Sequence, residues 1–149
     1  MKIAIIGTGR VAAALGKSWA GRGHMVTFAS RQPGSEKVAG LVDAAGPNAA
    51  AARVADAVAR SSTVVLAVPF SAVRDTLAVA GNLSGKLIID CTNPIAPGLR
   101  PLFDSATSGA EQIAGWATGA RVVKAFNTTG AENMAAPAYP GGAATMLLC

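Results

Sequence analysis

Three small residues near the start of the chain, Gly7, Gly9 and Ala12, stand at the spacing G-x-G-x-x-A between an apolar run, Ile3-Ala4-Ile5-Ile6, and a stretch with helical periodicity. Strand, glycine turn and helix in that order make an anion site. Gly7 permits the tight turn, Gly9 lets the main chain approach a pyrophosphate, and Ala12 lets the helix pack close to the strand. The helix N-terminus then offers unpaired N–H groups and the positive end of its dipole to the phosphates. A second group of polar residues follows about twenty positions on, where a dinucleotide site chooses its cofactor. Met25-Val26-Thr27-Phe28-Ala29 reads as a strand and runs into Ser30-Arg31. An NAD site usually has a carboxylate there for the ribose 2′-hydroxyl; a hydroxyl and a guanidinium fork instead suit a 2′-phosphate through charge-assisted hydrogen bonds. The pair points to NADP, with Lys37 as a second cation on the same phosphate.

Other reactive side chains fit structural roles better. His24 is the only histidine and lies in the turn Gly21-Arg22-Gly23-His24, on the side of the sheet opposite the strand ends, so it reads as a turn residue. Cys91 has no neighbouring base and reads as packing. Asp90 closes a strand and orients Thr92 or Asn93. Asn127 is the one amide favoured for function, because at a strand end it can hydrogen-bond a ring carbonyl. Trp19 and Trp116 read as core residues on helix faces. No catalytic acid or base and no metal cluster stands out.

These residues need a sheet and helices to hold them. At 149 residues, with 51% hydrophobic and 14% charged content, the chain fits one compact domain over residues 1–149. The apolar opening is short and broken by Gly7, so no signal peptide is expected, and the longest apolar run, Val64 to Phe70, is too short to span a bilayer. Two cysteines without metal spacing indicate free thiols, and a cytoplasmic location is expected. A net charge of +5 suits an anionic ligand, but the cations are scattered and aromatics are only 5%, which argues against nucleic acid.

Along the chain, Val11, Leu15 and Trp19 define an apolar stripe on the first helix, which ends at Gly21-Arg22-Gly23. A second helix spans about Glu36 to Ala45, and Ala49 to Arg53 is a third strand placed only by the alternation. Val54 to Arg60 reads as a short helix. Thr63 to Val68 is a β-branched strand of the kind buried on both faces, ended by Pro69. A helix over Ser71 to Ala80 and a strand over Lys86 to Asp90 follow, then a loop from Ile95 to Phe103, and a helix over Ser108 to Trp116. Arg121 to Ala125 is a strand, a short helix lies near Ala131 to Met134, and Ala144 to Leu148 is a last strand at the sheet edge. This alternation is that of an α/β, Rossmann-type doubly wound, mostly parallel sheet of order 3-2-1-4-5-6 plus an edge strand. Ligands bind outside the carboxyl ends of such strands, where Gly7-Thr8-Gly9, Ser30-Arg31, Val68-Pro69, Thr92-Asn93-Pro94 and Phe126-Asn127-Thr128 converge.

The segments IIGTGRV, FASR, LAVP, DCTNP and VVKAFNTTG, in that order over nearly the whole chain, resemble the F420-dependent NADP reductases and their bacterial relatives. VVKAFNT is the most specific of them. The resemblance implies reversible hydride transfer between NADP(H) and coenzyme F420, or a flavin in some relatives. It implies that Thr8, Gly9, Arg10 and Val11 contact the pyrophosphate and that Ser30, Arg31 and Lys37 contact the 2′-phosphate. It further implies that Val68 and Pro69 line the cofactor channel, that Asn93 and Pro94 lie near the nicotinamide, and that Ala125, Phe126 and Asn127 hold the acceptor ring over it. Arg10 stands where many relatives carry Asn, and Ala12 where they often have Gly. The family continues past the last strand, so the chain is expected to lack a C-terminal part of the acceptor pocket.

Ring-to-ring hydride transfer asks for distance, orientation and dryness more than for an acid or base, so Asn93 and Asn127 are the expected positioning groups. Two other functions fit the sequence: a non-catalytic NADP-binding module or sensor, and the nucleotide-binding domain of a β-hydroxyacid dehydrogenase-like enzyme. The expected partners are a small-molecule hydride acceptor and a second copy of the chain, with neither nucleic acid nor membrane.

Overall fold

The computed structural model describes residues 1–104, 106–143 and 145–149. Its frame is β1 (Lys2–Ile6), α1 (Arg10–Gly21), β2 (Met25–Ala29), α2 (Glu36–Ala45), β3 (Ala49–Ala52), α3 (Val54–Ala59) and β4 (Thr63–Leu66). There follow α4 (Val73–Ala78), β5 (Leu87–Asp90), the short strands β6 (Ile95–Ala96) and β7 (Arg100–Pro101), α5 (Gly109–Trp116) and β8 (Arg121–Lys124). α6 (Ala131–Ala135) and the strands β9 (Ala138–Tyr139) and β10 (Gly142–Ala143) complete the described elements. The main sheet is β3-β2-β1-β4-β5-β8, parallel throughout, so the Rossmann-type order holds with β8 as its sixth strand.

Alternation along each strand feeds two cores. Ala4 and Ile6 of β1 join Val64, Leu66 and Ile88 under α3, α4 and α5, while Ile3 and Ile5 join Val26, Phe28 and Val65 under α1 and α2. β4 is buried at every position, as its β-branched composition requires in a sheet covered on both faces. The four alanines of β3 have little strand preference of their own; in-register pairing with β2, from Val26 opposite Ala49 to Ala29 opposite Ala52, holds them in the sheet.

Four expectations need correction. The buried face of α1 is Ala12, Leu15, Gly16 and Ala20, not the Val11-Leu15-Trp19 stripe. A Cβ on Gly16 would stand 2.3 Å from Cζ of Phe28, so the helix approaches too closely for bulky groups, and Val11 and Trp19 are displaced to its margin. Trp19 there meets Phe126 edge-on at 6.0 Å and is half-buried. The segment 95–103 is not all loop: β6 and β7 pair antiparallel around Pro97-Gly98, with Gly98 at φ +78. β4 ends at Leu66, two residues before Val68, and a 3-10 turn over Phe70–Ala72 precedes α4.

The last strand at the edge is absent over 145–148; Ala144 lies outside the described residues. The β9–β10 hairpin precedes this segment, Leu147 and Leu148 are exposed, and among the described residues only Cys149 returns to the sheet, exchanging both main-chain hydrogen bonds with Lys124. Among the described residues no helix is long and apolar enough to cross a membrane.

Candidate functional site

A cavity of about 690 Å³ opens at the carboxyl ends of β1, β2 and β4, within the usual range for small-molecule sites. Its floor is the turn Gly7-Thr8-Gly9. Gly7 has φ +130, and a Cβ on it would stand 2.2 Å from the carbonyl oxygen of Ala67, so the turn passes directly against the chain leaving β4. Gly9 caps α1 in an extended conformation without a side-chain hydrogen bond, and no acidic residue occupies the first turn. Nothing lies within 4 Å of where its Cβ would be. The first N–H groups of a twelve-residue helix therefore face open space, which is the geometry for an anion.

Ser30, Arg31 and Lys37 line the same cavity. The Ser30 hydroxyl oxygen accepts from the Gln32 N–H at 3.1 Å, which leaves its own proton free to donate. Among the described residues neither cation is in an ion pair; the two pairs present join Arg10 to Glu132 and Lys124 to Asp90. One hydroxyl donor and two cationic groups beside one opening suit a phosphate dianion. Val68 and Pro69 form the wall beyond β4.

The sequence places helices at α3 and α4 but gives neither a part in the site. Ala72, Thr76 and Val79 line the cavity at spacings of three and four, a helical face that their periodicity could have revealed, and Asp75 and Val54 add to it.

The remaining expected residues lie elsewhere. The Arg10 guanidinium turns away from the turn and pairs with Glu132 of α6 at 2.9 Å, both groups largely exposed. Val11 is half-buried at the margin of the core under α1, outside the cavity lining. Pro94 packs on Gly109 of α5, and Ala125 is 4% exposed, so its methyl group is taken up in packing.

Asn93 and Asn127 do come together, across the ends of β5 and β8. The Asn93 amide donates to the Asn127 carbonyl at 3.1 Å, and the Asn127 amide donates to the Asn93 side-chain oxygen at 3.4 Å. Beneath them lies a buried ion pair that the sequence reasoning left out. Asp90 and Lys124 stand opposite one another in the β5–β8 register, with Nζ 2.8 Å from the carboxylate, and Lys124 also donates to the Thr92 carbonyl. The other Asp90 oxygen accepts from the Thr92 main-chain N–H at 2.8 Å and its hydroxyl at 2.7 Å. Asp90 thus orients Thr92, as expected from sequence, with Lys124 as its partner. Phe126 takes φ +63, a conformation rare for a bulky side chain, at the head of the Asn127 turn.

Phe126 also faces a second cavity of about 390 Å³, shared with Trp19, Arg22 and Met134. Trp19 is therefore a cavity wall as well as a packing residue. Cys91 is buried; burial first, then the Asp90 charge, pushes its thiol up to about 12 against the opposing pull of Lys124. That environment gives an inert packing thiol. His24 sits at the opposite end of the sheet, with Nδ1 3.3 Å from the N-terminal amine.

Residues 2–94 match the family model described as NADP oxidoreductase, coenzyme F420-dependent. No curated protein matches the chain. Among solved structures, a hypothetical protein of Sinorhizobium meliloti is 28% identical with a TM-score of 0.87, over 99% of this chain and 72% of that one. A protein of Arthrobacter sp. FB24, provisionally titled an F420-dependent NADP-reductase, is 31% identical with a TM-score of 0.80, over 92% of this chain and 67% of that one. A reductive aminase of Aspergillus terreus, solved with NADPH and ethyl-5-oxohexanoate, is 26% identical with a TM-score of 0.70, over 91% of this chain and 44% of that one.

Proposed function

The chain belongs to the coenzyme F420-dependent NADP oxidoreductase family, and on that premise we propose that it binds NADP(H) in the 690 Å³ crevice and moves hydride between the nicotinamide and a deazaflavin or flavin. The observation that carries this is the coincidence in one cavity of two groups that suit anions: the α1 N-terminus at Gly9, free of any side-chain cap, and Ser30 and Arg31 after β2 together with Lys37 of α2. Their relative placement suits a pyrophosphate and a 2′-phosphate on one molecule. We take residues 1–149 as a single NADP-binding unit.

Bound NADPH supplies a hydride at its nicotinamide ring. The protein's part is placement: Gly7 and Gly9 let the main chain reach the pyrophosphate, Ser30 and the two cations hold the ribose phosphate, and Val68 and Pro69 present an apolar wall that excludes water. The acceptor takes the hydride and one proton from solvent, so no side-chain acid is required.

The test is anaerobic mixing of the chain with NADPH and, separately, F420, FMN and FAD, following the loss of NADPH absorbance. A cyclic imine belongs in the same panel, because the similar Aspergillus protein is a reductive aminase. Oxidation with F420 or a flavin supports the proposal, and oxidation with the imine alone replaces its acceptor. NADPH binding without oxidation by any of them assigns the chain as an NADP-binding module.

A further inference from the structure

The order of the sheet gives the crevice a direction. The 2′-phosphate group lies at β2 and the pyrophosphate turn at β1, so a dinucleotide bound there extends its other half toward β4, β5 and β8. Neighbouring strands lie about 4.8 Å apart, so the end of β5 is about 10 Å from the glycine turn, within reach of the nicotinamide half. The groups that the protein presents there are the Asn93 and Asn127 amides.

Neither asparagine sits on a strand. Each is on a turn that leaves the sheet, Asn93 after β5 and Asn127 after β8. The β5–β8 pairing brings these two turns, 34 residues apart in sequence, side by side; what remains to be fixed is their conformation. Directly below, Asp90 binds the Thr92 N–H and hydroxyl, while Lys124 binds both Asp90 and the Thr92 carbonyl. Asp90 is fully buried and the Lys124 side chain is 14% exposed, so the pair is desolvated and short of alternative partners. A buried pair of this kind is a poor source of net stability compared with apolar packing, but a strict one of geometry, because each donor has a single acceptable position.

We propose that Asp90 and Lys124 are positioning residues for the cofactor. Their buried pair, acting through Thr92, fixes the β5 and β8 turns so that the Asn93–Asn127 amide bridge meets the nicotinamide half of bound NADP(H). The inference rests on the proposed function, in that it needs NADP(H) in the crevice. It adds two residues, and a route by which they act, without contact between either of them and the hydride path.

The test compares NADPH with 2′,5′-ADP, which carries the 2′-phosphate but no nicotinamide, by equilibrium titration of the wild type, Lys124→Met, Thr92→Val and Asn93→Ala. Lys124→Met is expected to weaken NADPH about tenfold while moving 2′,5′-ADP less than about twofold. Thr92→Val removes only the hydroxyl bond to Asp90 and is expected to act in the same direction by about threefold; it carries the test if Lys124→Met does not fold. On an Asn93→Ala background, Lys124→Met is expected to add nothing further, since both act on one bridge. Equal losses for the two ligands would make the pair a general structural element, and an unchanged ratio would remove it from the site; either overturns the inference. Wild type that binds neither ligand defeats the proposed function itself, an outcome distinct from both.

Discussion

Gly7 and Gly9 are two residues apart, and alanine at each has opposite consequences. At Gly7 the backbone is at φ +130, which alanine rarely adopts, and the new methyl group would stand 2.2 Å from the Ala67 oxygen and 2.8 Å from its carbonyl carbon. Both obstacles are main chain at the end of β4, so neither can rotate aside. Backbone strain of about 1–3 kcal/mol and an overpacking cost of similar size together give about 2–6 kcal/mol. At roughly 2–4 °C per kcal/mol for a chain of this size, Gly7→Ala should lower Tm by about 10 °C. At Gly9 the backbone is extended, with φ −90 and ψ −174, and no atom lies within 4 Å of the added carbon. The weaker N-cap preference of alanine is offset by its smaller unfolded-state entropy, so stability should change by less than about 0.5 kcal/mol. That methyl group would nevertheless stand in front of the α1 N–H groups, and NADPH affinity should fall at least about tenfold. Thermal melts and NADPH titrations of both variants read these outcomes. A Gly9→Ala protein that binds NADPH like wild type would refute the placement of the pyrophosphate, and a Gly7→Ala protein that melts like wild type would refute the packing of the turn.

Arg31→Ala removes one charge-assisted partner of the 2′-phosphate, a contribution of about 1.5–3 kcal/mol, and should weaken NADPH by roughly 10- to 150-fold with little effect on NADH; equal losses measured for both would detach Arg31 from that phosphate. Gly16→Ala places a methyl group 2.3 Å from the ring of the fully buried Phe28 and should cost about 1–3 kcal/mol in a denaturant melt while leaving NADPH binding alone. Iodoacetamide at pH 8 should label the exposed Cys149 and spare Cys91 until the chain is unfolded, as mass spectrometry would show. The Cys91 thiol sits at about 12 in the folded protein against an ordinary 9.0, so above pH 9 the unfolded chain releases its proton first. Its contribution to stability is therefore lost as pH rises from 9 toward 12, and replacement of Cys91 by alanine should flatten that part of the profile.

What the sequence revealed was local. β2 and α2 fall where their patterns place them, because Met25–Ala29 is β-branched and aromatic and Glu36–Ala45 is bounded by Ser35 and Gly46. That Gly7, Gly9 and Ser30-Arg31 stand on turns contiguous in sequence made it equally legible that they open on one crevice, the one proposed to take the phosphates. Long-range features were not. Lys124 reads as one more polar residue in a strand until β8 is laid beside β5 and brings it opposite Asp90. Trp19 reads as a core residue by spacing, yet the approach of Gly16 to Phe28 leaves it half-buried at the margin of that face. The composition of Thr145 to Leu148 suits a strand, but a strand also needs a partner, and only Cys149 finds one on β8.

The crevice is proposed to hold NADP(H). Titration of the wild-type chain with NADPH and NADH at one fixed ionic strength, with 2′,5′-ADP as competitor, tests it directly. NADPH is expected to bind at least about tenfold tighter than NADH and to be displaced by 2′,5′-ADP. Equal affinity for the two cofactors, or no competition from 2′,5′-ADP, would contradict it.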